Sequence, residues 1–382
     1  MKHLYISVLL FFLALNLYAQ ADRETIDSDK LSEARELKIQ LPRNYDPKAD
    51  RVYPLVVVLD GDYLFEPVAG NIDYQAYWEG IPDCIVVGVN QEATREDDMS
   101  YDMDTSELNP ESENFYAFLK EELLPYIEQN YKVSSFRMIV GHELSANYVN
   151  YFLLKKQSFF RAYVSLSPDL APNMKDELPK HLSELQEETF YYMATADTDF
   201  KSLRATITEC DSKLKTVENA KLKYEFNNFN DTNHYSLVGM GIPKALNKIF
   251  TLYKPITRKE YKEKVLTYEG SPYDYLIKKY EDIAYFYGFE KKVIENDIRA
   301  IAAAAKKRDD IGALGQLADL VKVEFPKSMM KSYYMGIYHE KAGDLKKALL
   351  SYKSGLMLEP SQYVDKELIL DKMYQVQNAL KN

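Results

Sequence analysis

Along the first two thirds of the chain, short runs rich in β-branched residues alternate with longer segments of helical period. The clearest run, Tyr53–Asp60 (YPLVVVLD), is apolar at successive positions and ends at Gly61. That pattern predicts a central strand of a sheet covered on both faces. Cys84–Asn90 (CIVVGVN) repeats it, and Leu37–Leu41, Arg137–Val140, Ala162–Leu166, Phe190–Ala196 and Lys223–Phe229 read as further strands. Between them lie predicted helices, beginning with Ser112–Tyr131, whose Phe115, Phe118, Leu119, Leu123, Tyr126 and Ile127 share one face. Others are expected from about Leu144 to Lys156, Lys175 to Leu185, Lys201 to Val217 and Ile242 to Tyr253. Strict alternation of this kind predicts parallel strands joined by right-handed crossovers, an α/β sheet.

Beyond Lys254 the strand signals stop. Pro255 and the charged stretch TRKEYKEK mark a boundary, after which only helical periods occur. Pro326 and Pro360 are 34 residues apart, the period of a tetratricopeptide repeat. Counting back from Pro360 places Gly336, Ala348, Tyr352 and Gly355 at the small and aromatic positions of such a repeat. The preceding unit has Ala302 and Leu314 at the equivalent places and is degenerate. The expected organisation is a leader at 1–21, an α/β domain at 22–255 and an all-helical domain at 256–382.

The leader follows from Lys2, the apolar run Leu4–Leu17 and the small-x-small site Ala19-Gln20-Ala21, which together predict a cleaved secretory signal. The run is shorter than the roughly 20 residues of a spanning helix. Export into a Gram-negative periplasm is the expected location, with release into the medium as the alternative. The chain has 382 residues, 46% hydrophobic and 28% charged, a globular composition. Its 48 basic against 59 acidic side chains argue against nucleic acid or an anionic membrane as partners. Cys84 and Cys210 are expected to be buried free thiols, although spacing alone also allows one disulfide.

In such a sheet, chemistry belongs in the loops after Asp60, Asn90, Val140, Ala196 and Phe229. After Val140 the chain reads Gly141-His142-Glu143-Leu144-Ser145-Ala146 and enters a helix. Small residues two before and two after the central position suit a nucleophile elbow, a turn too tight for larger side chains there. Together with YPLVVVLDGDYLF, the CIVVGV strand followed by Arg95 and Asp98, FLKEELLPYIEQNY and the segment GHELSANYVNYFLLKKQSFFRAYVSLSPDL, this elbow resembles the Putative esterase family of α/β hydrolases, which includes esterase D and enterochelin esterases. The resemblance covers roughly Glu36 to Phe250. It implies an α/β-hydrolase fold, a mostly parallel sheet with helices on both faces, followed here by the helical, repeat-like domain.

The family's elbow reads Gly-His-Ser-x-Gly-Gly, so the resemblance puts the nucleophile at position 143, where this chain has Glu143. Moving the register to Ser145 would flank it with Glu143 and Asn147, which breaks the small-residue requirement. By resemblance His234 is the general base, Asp197 or Asp199 the acid, and the backbone N–H groups of Leu144 and of the Gly61-Asp62 loop the oxyanion donors. His142 and Arg95 would lie at the substrate entrance. Glutamate has no hydroxyl proton to pass to a histidine, so ordinary serine chemistry is disfavoured. Beside His234 it is expected to form an ion pair.

Three functions follow as expectations. The chain is an impaired esterase-like protein that binds a small ester or acyl ligand and docks a protein partner through its repeats; or a hydrolase using Glu143 and His234; or a structural subunit of an envelope complex. No cofactor or metal is expected, because His181 and His339 stand alone. The acidic stretch carrying Glu92, Glu96, Asp97, Asp98, Asp102 and Asp104 is expected to be a solvated loop.

Overall fold

A computed structural model describes residues 21–155 and 158–381. The predicted leader falls outside the described residues apart from Ala21, as does Lys156, the expected end of the elbow helix. The chain divides into two compact units at Thr251/Leu252.

Among the described residues the first unit holds eight strands: β1 (Asp22–Ser28), β2 (Glu33–Gln40), β3 (Tyr53–Val58), β4 (Ile85–Val89), β5 (Val133–His142), β6 (Ala162–Leu166), β7 (Thr189–Thr198) and β8 (Leu222–Asn233). They form one sheet in the order β1-β2-β4-β3-β5-β6-β7-β8. Pairing is parallel from β4 through β8 and antiparallel for β1/β2 and β2/β4. Every residue of β3, β4 and β6 is buried, as continuous apolar runs covered on both faces require. β1 has no counterpart among the predicted strands, since its sequence DRETIDS is polar and it lies at the sheet edge.

Among the described residues these α-helices accompany the sheet: α1 (Gly61–Tyr77), α2 (Arg95–Met99), α3 (Pro110–Phe118), α4 (Leu124–Asn130), α5 (Leu144–Leu154), α6 (Met174–Ser183), α7 (Lys201–Leu214) and α8 (Leu237–Ile249). The single helix expected over Ser112–Tyr131 is divided by a π turn at Leu119–Leu123. Pro125, at the start of α4, explains the interruption, because it lacks an N–H and its ring crowds the carbonyl four residues earlier. α1 went unpredicted because Pro67 and Gly70 interrupt its sequence, yet Leu64, Phe65, Val68, Ala69 and Ile72 form one buried face. Cys84 and Cys210 are both free and buried, so the disulfide alternative is excluded. Burial raises both thiol pKa values, that of Cys210 to about 12.

Asp98 departs from the expected solvated loop. It is buried with Arg35 of β2, whose Nη1 donates to its Oδ2 at 2.5 Å, and it also accepts from Gln91 and Thr94. A buried carboxylate needs such compensation. The pair therefore pins the loop after β4 to the neighbouring strand.

The second unit is helical: α9 (Arg258–Glu260), α10 (Pro272–Tyr287), α11 (Glu295–Lys307), α12 (Ile311–Glu324), α13 (Met329–Lys341), α14 (Leu345–Gly355) and α15 (Lys366–Ala379). α10 opens with a capping box made by Ser271 and Asp274. α13 and α14 pack closely because Gly336 has no Cβ, which would stand 2.3 Å from the Tyr352 ring. Ala302, Leu314, Ala348 and Tyr352 are all in this unit's core. Among the described residues no helix is long and apolar enough to cross a membrane.

Candidate active site

The loop between β5 and α5 sets the site. Glu143 has φ 59° and ψ −115°, a backbone conformation that L-residues adopt only under constraint. The constraint is visible on both sides. A Cβ at Gly141 would lie 2.5 Å from the Ser145 backbone, so only glycine fits there. The Glu143 N–H donates to Leu166 O, and its carbonyl accepts from the N–H groups of Asn147 and Asp169. The apex is thus a nucleophile-elbow turn with a glutamate at its tip.

Ser145 is fully buried, and its hydroxyl is committed to His142, donating to the carbonyl at 3.0 Å and accepting from the N–H at 2.8 Å. It braces the turn from inside.

The Glu143 side chain is 36% exposed, and Oε2 lies 3.3 Å from Arg95 Nη2. This corrects the expected ion pair with His234: the partner of Glu143 is Arg95. Arg95, from α2, is shared. Its Nε and Nη2 grip Asp60 at 2.8 and 3.2 Å, and Nη2 also reaches His142 O at 3.3 Å. Burial works to lower its pKa, but hydrogen bonding and charge from Asp60 and the neighbouring groups outweigh it and raise it.

His142 is buried, and burial followed by repulsion from His234 lowers its pKa to about 4. Its Nε2 lies 3.2 Å from His234 O and Nδ1 3.2 Å from Tyr63 Oη. A carbonyl only accepts, so Nε2 carries the proton, and Nδ1 is left as an acceptor facing Tyr63, whose one hydroxyl proton Asp60 Oδ2 also draws at 3.0 Å.

On the far side, His234 follows β8. Its Nδ1 is 2.9 Å from Asp199 Oδ1 and 3.1 Å from Ser167 Oγ. Asp199 also accepts from the Ser167 hydroxyl at 2.6 Å, Thr195 at 2.8 Å and the Phe200 N–H at 2.9 Å. Burial works to raise the Asp199 pKa, but these hydrogen bonds outweigh it and hold the carboxyl at about 2. With Nδ1 engaged, neutral His234 keeps its lone pair on Nε2. Asp197 is elsewhere: it accepts from the backbone N–H groups of Asp231 and Thr232 and so ties the end of β8 to β7. Of the two acids left open by the sequence, Asp199 meets the histidine.

Leu144 and Gly61 are the first residues of α5 and α1, and Asp62 is the second of α1. N–H groups at these positions have no intrahelical acceptor. Asp60 before them takes left-handed φ 52° and donates its own N–H to Gln91. Among the described residues, no group of three or more His, Cys, Asp or Glu side chains is arranged to hold a metal ion.

Sequence reading missed Ser167, Thr195, Asp60 and Tyr63. Ser167 begins the loop after β6, at the carboxyl end of a strand, and that position was the available signal.

A mostly parallel sheet, an elbow between strand and helix, and an acid–histidine pair at the carboxyl ends of β7 and β8 define an esterase-like α/β-hydrolase fold. The chain belongs to the family described as Putative esterase, which matches residues 28–226. Ferri-bacillibactin esterase BesA of Bacillus subtilis (strain 168) is 24% identical over 245 residues, 56% of this chain and 85% of that protein. An uncharacterised protein from Capnocytophaga ochracea DSM 7271 aligns with TM-score 0.81 and 30% identity, over 94% of this chain and all of that one. An IroE-like serine hydrolase from Shewanella oneidensis shares the fold, with TM-score 0.61 and 18% identity over 79% of this chain and 98% of its own.

Proposed function

We propose that this chain is an exported, esterase-like protein whose crevice binds a small ester or acyl ligand and does not hydrolyse it by serine chemistry. One observation carries the reading: the elbow apex is occupied by Glu143, whose carboxylate is paired with Arg95, while the adjacent Ser145 is buried and fully hydrogen-bonded. Acyl transfer at an elbow needs a hydroxyl or thiol that the histidine can deprotonate as it attacks. Neither side chain offers one. The ligand class is supported by the name of the bacterial relative, a ferri-bacillibactin esterase. The oxyanion donors at Leu144, Gly61 and Asp62 are backbone groups and do not depend on the residue at 143.

In this reading the helical unit is a tetratricopeptide-like module that docks a protein partner, and the location is the periplasm. The 34-residue spacing of Pro326 and Pro360 and the apolar leader support these two points.

A second reading has one specific observation in its favour. The His234–Asp199 pair is fully assembled, as a histidine that activates water would require, with Glu143 as nucleophile or base.

Hydrolysis of short-chain aryl esters by the purified protein decides between them, run beside Glu143→Ser, Glu143→Gln and His234→Ala. The binding reading expects no turnover in wild type. It further expects turnover to appear in Glu143→Ser and to fall on the order of 10²-fold or more when His234→Ala is added. Wild-type turnover abolished by both Glu143→Gln and His234→Ala would establish the carboxylate hydrolase instead.

A further inference from the structure

We propose that the ligand of this crevice carries a positive charge, as an alkylammonium or quaternary ammonium group. The inference rests on the binding reading above and names the charge of the ligand at that same site.

The charges around the apex do not balance. Asp60, Glu143 and Asp169 stand at the apex, and Arg95 is the one guanidinium paired with any of them among the described residues. Asp199 is satisfied by four donors, and Asp60 by Arg95 and Tyr63. Because Arg95 commits its paired donors to Asp60, Glu143 receives only one long contact on one oxygen. Asp169, whose N–H bonds the Glu143 carbonyl, has no cationic partner among the described residues. Burial first, then the charges of Glu143 and Glu96, raise the Asp169 pKa. Negative potential is therefore left uncompensated on the Glu143–Asp169 side, at the point a ligand reaches in an elbow site. The serine of the family's elbow would contribute no charge there.

A row of rings runs from the apex, at Tyr63, to the far side of the site. Tyr63, His142, His234 and Phe200 form a continuous row of rings, with centroid separations of 6.0, 4.5 and 4.6 Å, and Tyr235 stands edge-on to His234 at 5.1 Å. The outer members are open to solvent: Tyr63 is 45%, Phe200 49% and Tyr235 74% exposed. Large aromatic side chains exposed together mark a recognition surface. Ring faces beside unneutralised carboxylates attract organic cations by their quadrupoles, and quaternary ammonium groups are recognised in this way. A strongly hydrated metal ion gains little from ring faces, whereas a methylated ammonium can use both features.

The test is calorimetric titration of the full chain with three ligands of one shape: choline, its neutral isostere 3,3-dimethylbutan-1-ol, and 3,3-dimethylbutanoate. Phenyl acetate is added as a probe of the underlying reading. Choline is expected to bind at least about tenfold more tightly than the alcohol, and the carboxylate more weakly than either. Glu143→Gln, with its fold checked by thermal melting, should abolish the preference, and Asp169→Asn should reduce it. Equal or tighter binding of the alcohol or the carboxylate would overturn the inference, as would an unchanged preference in both variants. Binding of phenyl acetate without charge preference in the trio sinks this inference alone. No binding of any of the four ligands sinks the binding reading with it.

Discussion

The two halves of the candidate site are built to different standards. On the acid–histidine side, Asp199 is buried, accepts four hydrogen bonds and holds His234 in one orientation. On the apex side, Glu143 is over a third exposed and meets Arg95 by a single contact at 3.3 Å, with Arg95 anchored chiefly to Asp60. The elbow's shape is common to both, because Gly141, the Ser145 brace and the Glu143 backbone bonds set it without using the side chain at 143. A residue at such an apex can change from hydroxyl to carboxylate while the fold is undisturbed. Chemistry at the tip and architecture beneath it are thereby separable.

Substitution on the rigid side should show the largest effect. Asp199→Ala strands the donors of His234, Ser167 and Thr195 in a buried site and is expected to lower stability by about 4 kcal/mol, read from urea unfolding. A loss under about 1 kcal/mol would erase the contrast between the halves.

The pH dependence should be next. His142 titrates near 4 in the folded protein against 6.5 ordinarily, so the unfolded chain binds the extra proton between those values. Stability is full above about pH 6.5 and declines as pH falls toward 4, by about 3 kcal/mol. Asp199, at about 2 against 3.8, extends the decline below pH 4 by about 2 kcal/mol more. Urea midpoints measured against pH should show both limbs, the upper one flattened in His142→Asn and the lower in Asp199→Asn. A profile that is flat from pH 6.5 to 4 would remove His142 from this account.

Glu143→Ser should have the smallest effect on stability, under about 1 kcal/mol in thermal unfolding, because a partly exposed pair with a long contact contributes little. A cost equal to that of Asp199→Ala would mean that the apex is a structural keystone, and the two halves would have to be regarded as one.

Reading the sequence named most of the residues that the fold gathers at the candidate site, for reasons that are local. Gly141, Glu143 and Ser145 lie two residues apart along one turn, and His234 lies in the last strand-to-helix loop, so strand periodicity and spacing were sufficient. The choice between Asp197 and Asp199 was not available in the same way. Both sit in one short polar loop, and only the packing of β7 against β8 directs Asp199 at the imidazole and Asp197 at the backbone. The pairing of Glu143 with Arg95 was missed because Arg95 is 48 residues earlier in the chain and reaches the apex only through the crossover after β4. Asp98 read as solvated because its neighbours are acidic, while its compensating Arg35 lies on a different strand.

The sequence by itself determined the alternation of strands and helices, the helical character of the last third and the glutamate at the elbow, because periodicity and tight turns are properties of short segments. Only the tertiary structure decided the partners: which acid holds His234, which cation meets Glu143, and that Tyr63, His142, His234, Phe200 and Tyr235 share one wall. Hydrogen bonds and charges act across a few ångströms of space, and in a parallel sheet the residues that converge at the carboxyl ends come from loops far apart along the chain.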